Sequence, residues 1–321
     1  MNRRIFLGGS VGGLVAGIAR AEGATPEEFR NRLVGPICSV PTVYRADQSL
    51  DLEGFRRIIE TGMASGCKVF TLTAGNNQYA RLTYPEIQTL TRALVDGVAR
   101  RGLVIAATGP WATDQSVDYC RFAERAGADA VQIALPAGPP EKLPDHFRAI
   151  AAATARPLVL HGQVPMPQLV QLMELPSIVG YKEEYAPLYT RDVFERFGKR
   201  LNIFAGGQKG NFLMYQPYGM RAYYSTFSTF APDVARRFWN AVRQRKTDSA
   251  VSLILKYDVP FFRGTPIGVW SHAYWRATME AHGLCGRHLR APDKSLTDEQ
   301  AAGVRRFQQE LGLLRMSDTA S

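Results

Sequence analysis

The sequence predicts an α/β fold of the (β/α)8 TIM barrel class with additional helices at its carboxyl end. Eight short apolar segments alternate with segments of helical periodicity, which is the pattern of βα repetition. The 321 residues accommodate one barrel of about 250 residues with appended elements. No glycine-rich phosphate-binding fingerprint follows the first apolar segment, as it usually would in an open doubly wound sheet. We therefore expect one closed barrel.

The first 21 residues predict a twin-arginine-type export signal. A basic start is followed by an apolar, glycine-rich stretch from Ile5 to Ile18 and by the small-x-small cleavage pattern Ala19-Arg20-Ala21. The run from Asn2 to Leu7 is similar to the twin-arginine motif. The apolar stretch is shorter than the roughly 20 residues that span a bilayer, so we expect no stable membrane insertion after cleavage. We expect a periplasmic or secreted protein; the alternatives are a chance basic start on a cytoplasmic enzyme and an uncleaved anchor.

The remaining residues, 22–321, are predicted to form one barrel domain. Each segment between two strands is long enough to return the chain to a parallel neighbour. The predicted strands are 34–40, 68–73, 103–108, 130–135, 157–161, 178–182, 201–205 and 220–225.

Helices are predicted between the strands and after the last strand. Phe55, Ile58, Ile59 and Met63, for example, recur at the spacing of one helix face. From about 232 to 321 the chain has the pattern of several helices, including 297–311, without a linker rich in Pro, Gly or Ser. We expect this carboxyl-terminal extension to pack on the barrel.

The charge pattern and the cysteine spacing argue against a nucleic-acid-binding protein and against a metal-binding protein. The formal net charge is +10, and it would fall by three on cleavage after Ala21 because that segment holds three arginines and no acid. The densest basic stretch, Arg236 to Lys246, has helical spacing and no nucleic-acid motif, so we expect no nucleic-acid partner. The four cysteines form no CxxC pair, and no metal site is predicted. Small anionic substrates suit the sign of the charge.

Lys182 is the first candidate catalytic residue. It ends the apolar strand Ile178-Val179-Gly180-Tyr181, and a strand end is where barrels carry their active sites. Burial disfavours the ammonium form, lowers the pKa, and leaves an amine that attacks a carbonyl to form an imine. The alternative is a structural lysine that forms an ion pair with Glu183 or Glu184 at the barrel rim.

The segment Gly180-Tyr181-Lys182-Glu183 resembles the Gly-x-Lys-Glu segment of the dihydrodipicolinate synthase and N-acetylneuraminate lyase family, in which the lysine forms a Schiff base. The resemblance extends over roughly 34–292. Further segments that match in the same order are Val40-Pro41-Thr42-Val43-Tyr44, Leu82-Thr83 with Glu86, Ala107-Thr108-Gly109, Ala126-Gly127-Ala128-Asp129-Ala130, His146-Phe147-Arg148-Ala149-Ile150 and Val164-Pro165.

The resemblance implies a lyase or aldolase that acts on a pyruvate-type 2-oxo acid, without a metal or organic cofactor, and that forms a homo-oligomer. It implies substrate contacts near Thr42 and at the loop Gly75, Asn76 and Asn77, which stands where the family has Gly-Thr-Thr-Gly-Glu. Gly206, after the seventh strand, permits close approach of a ligand, although such glycines also serve as turn formers.

Three departures argue against dihydrodipicolinate synthase itself. The family tyrosine that relays protons is missing, since Pro136 is followed by Ala137-Gly138. The carboxylate loop lacks its threonines, and the arginine expected after Val164-Pro165 is absent. His161, at the end of the fifth strand and with an ordinary pKa of about 6.5, is the predicted proton shuttle. Tyr181 is not, because neighbouring strand residues face opposite ways and it should face the helices.

The sequence leaves three functional hypotheses. The first is a Schiff-base lyase that uses Lys182 and His161. The second is a catalytically degenerate barrel that binds a small anionic ligand, and the missing tyrosine is its main support. The third is a metal-dependent aldolase that uses Glu183 and His161, for which no convincing ligand set is present.

Overall fold

A computed structural model describes residues 24–314 of the chain. The predicted export signal, 1–21, lies outside the described residues, as do the last seven residues of the predicted carboxyl-terminal extension. Within the described residues, no helix is both long enough and apolar enough to cross a membrane.

Eight parallel strands close into a barrel in the order in which they occur along the chain, and β8 pairs with β1. The predicted (β/α)8 class and all eight predicted strands are confirmed. The strands are β1 Gly35–Ser39, β2 Val69–Thr71, β3 Leu103–Ala107, β4 Ala130–Ala134, β5 Leu158–His161, β6 Ile178–Glu183, β7 Asn202–Ala205 and β8 Ala222–Tyr224.

Within residues 24–314, nine α-helices belong to the barrel, eight of them following a strand and one preceding β1. They are α1 Pro26–Arg32, α2 Leu52–Ala64, α3 Tyr84–Val98, α4 Thr113–Ala126, α5 Leu143–Ala153, α6 Met166–Leu172, α7 Pro187–Phe197, α8 Lys209–Tyr215 and α9 Pro232–Arg243. The helix α9 follows β8 and packs against β1 and α2, so it completes the barrel. Local chemistry fixes several of the helix starts: Thr83 and Glu86 form a capping box at α3, and Asp51 caps α2.

The carboxyl-terminal extension therefore starts after α9. It contains α10 Thr247–Leu253, α11 Val259–Phe262, α12 His272–Ala281 and α13 Asp298–Glu310, and a π-helical turn, Ile254–Asp258, joins α10 to α11. Three ion pairs among residues 24–314 attach the extension to the barrel, and one of them joins Arg81 to Asp293 at 2.7 Å. Arg290 binds both carboxylate oxygens of Glu86, at 2.7 and 2.9 Å, and Lys209 pairs with Asp258 in the protein interior.

The core has two layers, one inside the barrel and one between the strands and the helices. The helix α1 closes the amino-terminal end of the barrel, because Phe29 and Leu33 pack into the inner layer. Asn202 of β7 donates to the carbonyl oxygens of Arg30 and Leu33 and holds α1 in place. Lys182 and His161 lie towards the opposite, carboxyl-terminal end of the barrel.

Candidate active site

Lys182 and His161 lie side by side at the carboxyl ends of β6 and β5, where their Cα atoms are direct partners in the sheet. Alternation along β6 turns Lys182 into the barrel. The residue is 5% exposed, and its Nζ lies 5.0 Å from the centre of the Tyr224 ring. The structure therefore brings the two predicted catalytic residues together inside the barrel wall.

The Lys182 amine has two polar partners. Its Nζ is 2.7 Å from Oε1 of Glu184 and 3.1 Å from Nε2 of His161. Burial lowers the pKa of the amine, and the Glu184 carboxylate opposes that shift only in part. Because the net shift lowers the pKa, a larger fraction of the Lys182 amine is uncharged than in an exposed lysine. The uncharged amine is the form that attacks a carbonyl.

The two glutamates after Lys182 have different environments. Glu184 is the ion-pair partner, whereas Glu183 faces the helices and accepts hydrogen bonds from the Tyr185 backbone at 2.8 Å and the Thr190 hydroxyl at 2.6 Å. Burial raises the pKa of Glu184, but hydrogen bonds from His161 and the charge of Lys182 outweigh it and lower that pKa to about 2. The Glu184 side chain remains 38% exposed and so borders solvent.

A metal centre built on Glu183 and His161 does not match this geometry. His161 faces the barrel interior while Glu183 points to α7. Between residues 24 and 314, no cluster of three or more His, Cys, Asp or Glu side chains is arranged to hold a metal ion.

His161 links the amine to a chain of buried polar groups. Its Nδ1 is 3.3 Å from Nε2 of Gln132 in β4, and Oε1 of Gln132 accepts a 2.8 Å hydrogen bond from the Tyr224 hydroxyl of β8. Burial lowers the pKa of His161, and the Lys182 charge lowers it further, while Glu184 opposes both. The imidazole is therefore neutral at neutral pH, and it can either give or take a proton.

Sequence reasoning missed Gln132 and Tyr224 as members of the site, and it named Glu184 only as one of two possible ion-pair partners of Lys182. Gln132 carried a visible signal, since it is a polar residue in the middle of the apolar strand Ala130–Ala134. Tyr224 carried none, because tyrosine is common in strands. The outward orientation of Tyr181 is confirmed: its hydroxyl contacts the backbone of Gly162 and Val164.

The loop after β2 is held in shape by two of the predicted substrate-binding residues. Thr42 and Asn77 are both fully buried, and the Thr42 hydroxyl donates to the Asn77 carbonyl oxygen at 3.0 Å. The Asn77 side chain accepts from the Thr73 backbone at 2.7 Å and donates to the Val40 carbonyl oxygen at 2.8 Å. Their polar atoms thus bind each other and the backbone.

Gly75 and Asn76 are the members of this loop that border open space. Gly75 is exposed, and no atom lies within 4 Å of where its Cβ would be. Asn76 is half-buried, and its amide donates to the Ser39 hydroxyl at 2.9 Å. Behind the loop, the fully buried Arg276 of α12 donates to the carbonyl oxygens of Thr42 and Asn76. A cation behind exposed loop amides suits a bound carboxylate.

Gly206 makes room for Glu184. A Cβ at Gly206 would lie 2.2 Å from Oε1 and 2.3 Å from Cγ of Glu184, closer than any real contact. The absence of a side chain at this position therefore lets the Glu184 carboxylate reach Lys182.

Comparisons with known proteins agree with this architecture. Residues 32–309 match the dihydrodipicolinate synthetase family. The chain is 30% identical to a probable 5-dehydro-4-deoxyglucarate dehydratase 2 from Streptomyces avermitilis, over 88% of this chain and 87% of that protein. It is 28% identical to 4-hydroxy-tetrahydrodipicolinate synthase 1 from Streptomyces coelicolor, over 84% of this chain and 90% of that protein.

Solved structures show the same fold. A dihydrodipicolinate synthase from Bacillus clausii superposes with a TM-score of 0.78 at 22% identity, covering 89% of this chain and all of that one. A prophage protein of the dihydrodipicolinic acid synthase family from E. coli K12, solved in complex with pyruvate, has a TM-score of 0.77 at 21% identity, with 88% and 99% of the two chains covered. The match over almost the whole described barrel shows that this chain belongs to the dihydrodipicolinate synthetase family and is a lyase of the class I aldolase type.

Proposed function

We propose that this protein forms an imine between Nζ of Lys182 and the keto carbon of a 2-oxo acid, and then breaks or forms a bond at the neighbouring carbon. The observation that carries the proposal is the buried Lys182 amine, whose lowered pKa and contact with His161 supply a nucleophile and a proton carrier 3.1 Å apart.

The steps follow from that geometry. The free amine adds to the keto carbon. One proton from the amine and one from solvent pass through His161 to the keto oxygen, which leaves as water and gives the protonated imine. The protonated imine then draws electrons from the adjacent carbon, which loses a proton to give an enamine. In a dehydration, this enamine expels the hydroxyl group of the next carbon, which leaves as water once it is protonated. In an aldol cleavage, a base instead takes the proton of the hydroxyl group on the next carbon, the carbon–carbon bond breaks into the imine, and an aldehyde leaves. The enamine formed by this cleavage is then protonated at carbon. Water finally hydrolyses the imine and restores the amine.

The loop after β2 supports a 2-oxo acid as the substrate class. The exposed Gly75 offers its backbone amide to a carboxylate, and Asn76 offers the side-chain N–H that its bond to Ser39 leaves over. The Arg276 cation lies behind them. Asparagine amides also hydrogen-bond hydroxyl groups. A larger, hydroxylated 2-oxo acid, of the sugar-acid kind named for the Streptomyces avermitilis relative, therefore suits this loop better than the smallest 2-oxo acids.

Trapping with borohydride tests the proposal. The protein is incubated with pyruvate and with hydroxylated 2-oxo acids, reduced, digested and mapped by mass spectrometry. We expect a stable adduct on Lys182. Lys209 is the internal control, since it is equally buried and its pKa is also lowered by burial, but it is paired with Asp258 under aromatic rings. The variant Lys182→Met should give no adduct.

The outcomes separate the hypotheses. Absence of an adduct on Lys182 with every 2-oxo acid would remove the imine mechanism. An adduct with every substrate but no turnover of any would contradict the lyase and favour a degenerate barrel that binds small anions.

We also propose that the mature protein is exported and forms a homo-oligomer, by analogy with its family and from the sequence of its first 21 residues. Fractionation of cells that express the full chain should place it in the periplasm, and Arg3→Lys with Arg4→Lys should retain it in the cytoplasm. Light scattering on the purified protein should give a multiple of the monomer mass. Cytoplasmic wild-type protein or a monomer would contradict the respective proposal.

A further inference from the structure

We propose that Gln132 and Tyr224 are positioning residues that hold His161 in the tautomer with its proton on Nε2, the nitrogen that faces Lys182. The contribution of this tautomer to catalysis rests on the proposed imine chemistry. The hydrogen bonds that hold the tautomer do not depend on that chemistry. It would supply from β4 and β8 the proton-transfer geometry for which the family uses the tyrosine that this chain lacks after Pro136.

Gln132 is buried inside the barrel, and both ends of its side-chain amide have partners. Its side chain is fully buried in the middle of β4, where an amide without hydrogen-bond partners would destabilise the fold. Both ends of the amide are used: Oε1 accepts from Tyr224 at 2.8 Å, and Nε2 lies 3.3 Å from Nδ1 of His161. The amide thus spans the barrel interior between the phenol of β8 and the imidazole of β5.

These hydrogen bonds run from Tyr224 to Gln132 and from Gln132 to His161. Tyr224 is 3% exposed, and burial raises the pKa of its hydroxyl, so the phenol keeps its proton and donates it to Oε1 of Gln132. The Gln132 amide then presents its N–H to His161. Because an N–H must meet a lone pair, Nδ1 of His161 is the unprotonated nitrogen and Nε2 carries the proton.

The proton on Nε2 of His161 faces Lys182 and Glu184. Nε2 is 3.1 Å from the Lys182 amine and 3.5 Å from Oε2 of Glu184. A proton held there faces the atom on which the imine forms, and it can be passed to the departing oxygen. The opposite tautomer would place the proton on the side of Gln132, away from the amine.

The tautomer of His161 can be read by 15N NMR on protein labelled in its five histidines, without any substrate. The variant His161→Gln assigns the His161 signals. In the wild-type protein we expect a protonated Nε2 and an unprotonated Nδ1. In Tyr224→Phe, and in Gln132→Met, we expect the two tautomers to mix.

Tyr223→Phe is the matched control. Tyr223 is the neighbouring residue in β8, is equally buried, and faces the helices, where it packs on Phe212 and Phe238. This variant should leave the His161 signals unchanged. Circular dichroism of all three variants confirms that they fold, and the substitution of phenylalanine for tyrosine keeps the ring in place.

A kinetic readout connects the tautomer to the reaction. General acid–base catalysis contributes about 10²–10⁴-fold, so partial loss of the correct tautomer in Tyr224→Phe should slow imine trapping about tenfold at saturating pyruvate. Tyr223→Phe should trap at the wild-type rate.

The NMR and trapping results test the tautomer of His161 and the imine chemistry separately. A wild-type His161 protonated on Nδ1, or a tautomer unchanged in both Tyr224→Phe and Gln132→Met, would overturn the inference even if Lys182 forms its imine. A locked tautomer in a protein that traps no 2-oxo acid would uphold the inference and defeat the proposed function instead.

Discussion

Substituting Gly206 with alanine should detach Glu184 from Lys182 without unfolding the barrel. The added Cβ would lie 2.2 Å from Oε1 of Glu184, so one of the two groups has to move. Glu184 is the group that moves, because its side chain is flexible, 38% exposed and able to turn into solvent. The backbone of Gly206 is outside the left-handed region, so alanine is tolerated there.

The expected effect on Lys182 follows from the lost contact. Glu184 raises the pKa of the amine from a distance of 2.7 Å, so its departure lowers that pKa further. An opposite charge this close shifts a pKa by about 1–3 units, and the partial exposure of Glu184 argues for about one. Below the pKa, one unit gives a tenfold larger fraction of free amine. The loss of a partly exposed ion pair costs at most about 1 kcal/mol of stability.

The assay is the initial rate of cyanoborohydride trapping of pyruvate as a function of pH. In Gly206→Ala the rising limb of this profile should move about one pH unit lower, and Glu184→Gln should move it in the same direction. Gly210→Ala is the matched control, because that glycine lies in α8 with no atom within 4 Å of its Cβ position. It should leave the profile unchanged.

A folded Gly206→Ala protein with the wild-type pH profile would contradict this prediction, and so would a shift to higher pH. Either result would mean that Glu184 does not set the charge state of Lys182.

Three further predictions concern the contacts that support the site. The Arg290 guanidinium holds the pKa of Glu86 near 2, so this carboxylate stabilises the fold above its ordinary pKa of 4.5, and the gain is lost as the pH falls from 4.5 towards 2. Glu86→Gln should therefore lose about 1–2 kcal/mol at pH 7 and much less at pH 3 in denaturant titrations; an equal loss at both pH values would contradict this. Lys209→Met should cost about 3–5 kcal/mol because it leaves Asp258 buried without a partner, while the double variant Lys209→Met with Asp258→Leu should recover most of that loss; no recovery would mean that the pair itself stabilises the fold. Asn77→Ala removes hydrogen bonds to Thr73 and Val40 and should cost about 2 kcal/mol and raise the KM for the 2-oxo acid, and an unchanged KM would show that the loop shape does not govern binding.

The barrel and its central lysine were predictable because both leave strong patterns in the sequence. Parallel strands covered on both faces are continuously apolar, so eight such segments stand out, and Lys182 stands out as the polar end of one of them. His161 was predictable for the same reason. Once both residues end neighbouring strands of a closed barrel, their proximity follows from the fold.

The partners of these two residues depend on geometry that one sequence shows less directly. Strand alternation distinguishes Glu184 from Glu183, since Glu184 is two residues after Lys182, but it does not show that the carboxylate turns back to the amine over Gly206. Gln132 and Tyr224 come from β4 and β8, and they meet only because of the tilt and stagger of the strands around the barrel.

The loop residues illustrate a different limit. Asparagine and threonine can bind a ligand or the backbone equally well, and the residue type does not decide which. The structure shows that Thr42 and Asn77 bind the backbone and each other, while Gly75 and Asn76 border open space. The arginine behind the loop, Arg276, lies 200 residues further along the chain and has no sequence motif that would connect it to Asn76.

The proposed nucleophilic role of Lys182 depends on the pKa of its amine. This pKa can be measured by an NMR pH titration of protein with isotope-labelled lysine side chains, with Lys182→Met to assign the signal. We expect a pKa below the ordinary lysine value of 10.5, because burial outweighs the attraction of Glu184. A pKa at or above 10.5 would show an ammonium held in a structural ion pair, and it would contradict the nucleophilic role of Lys182.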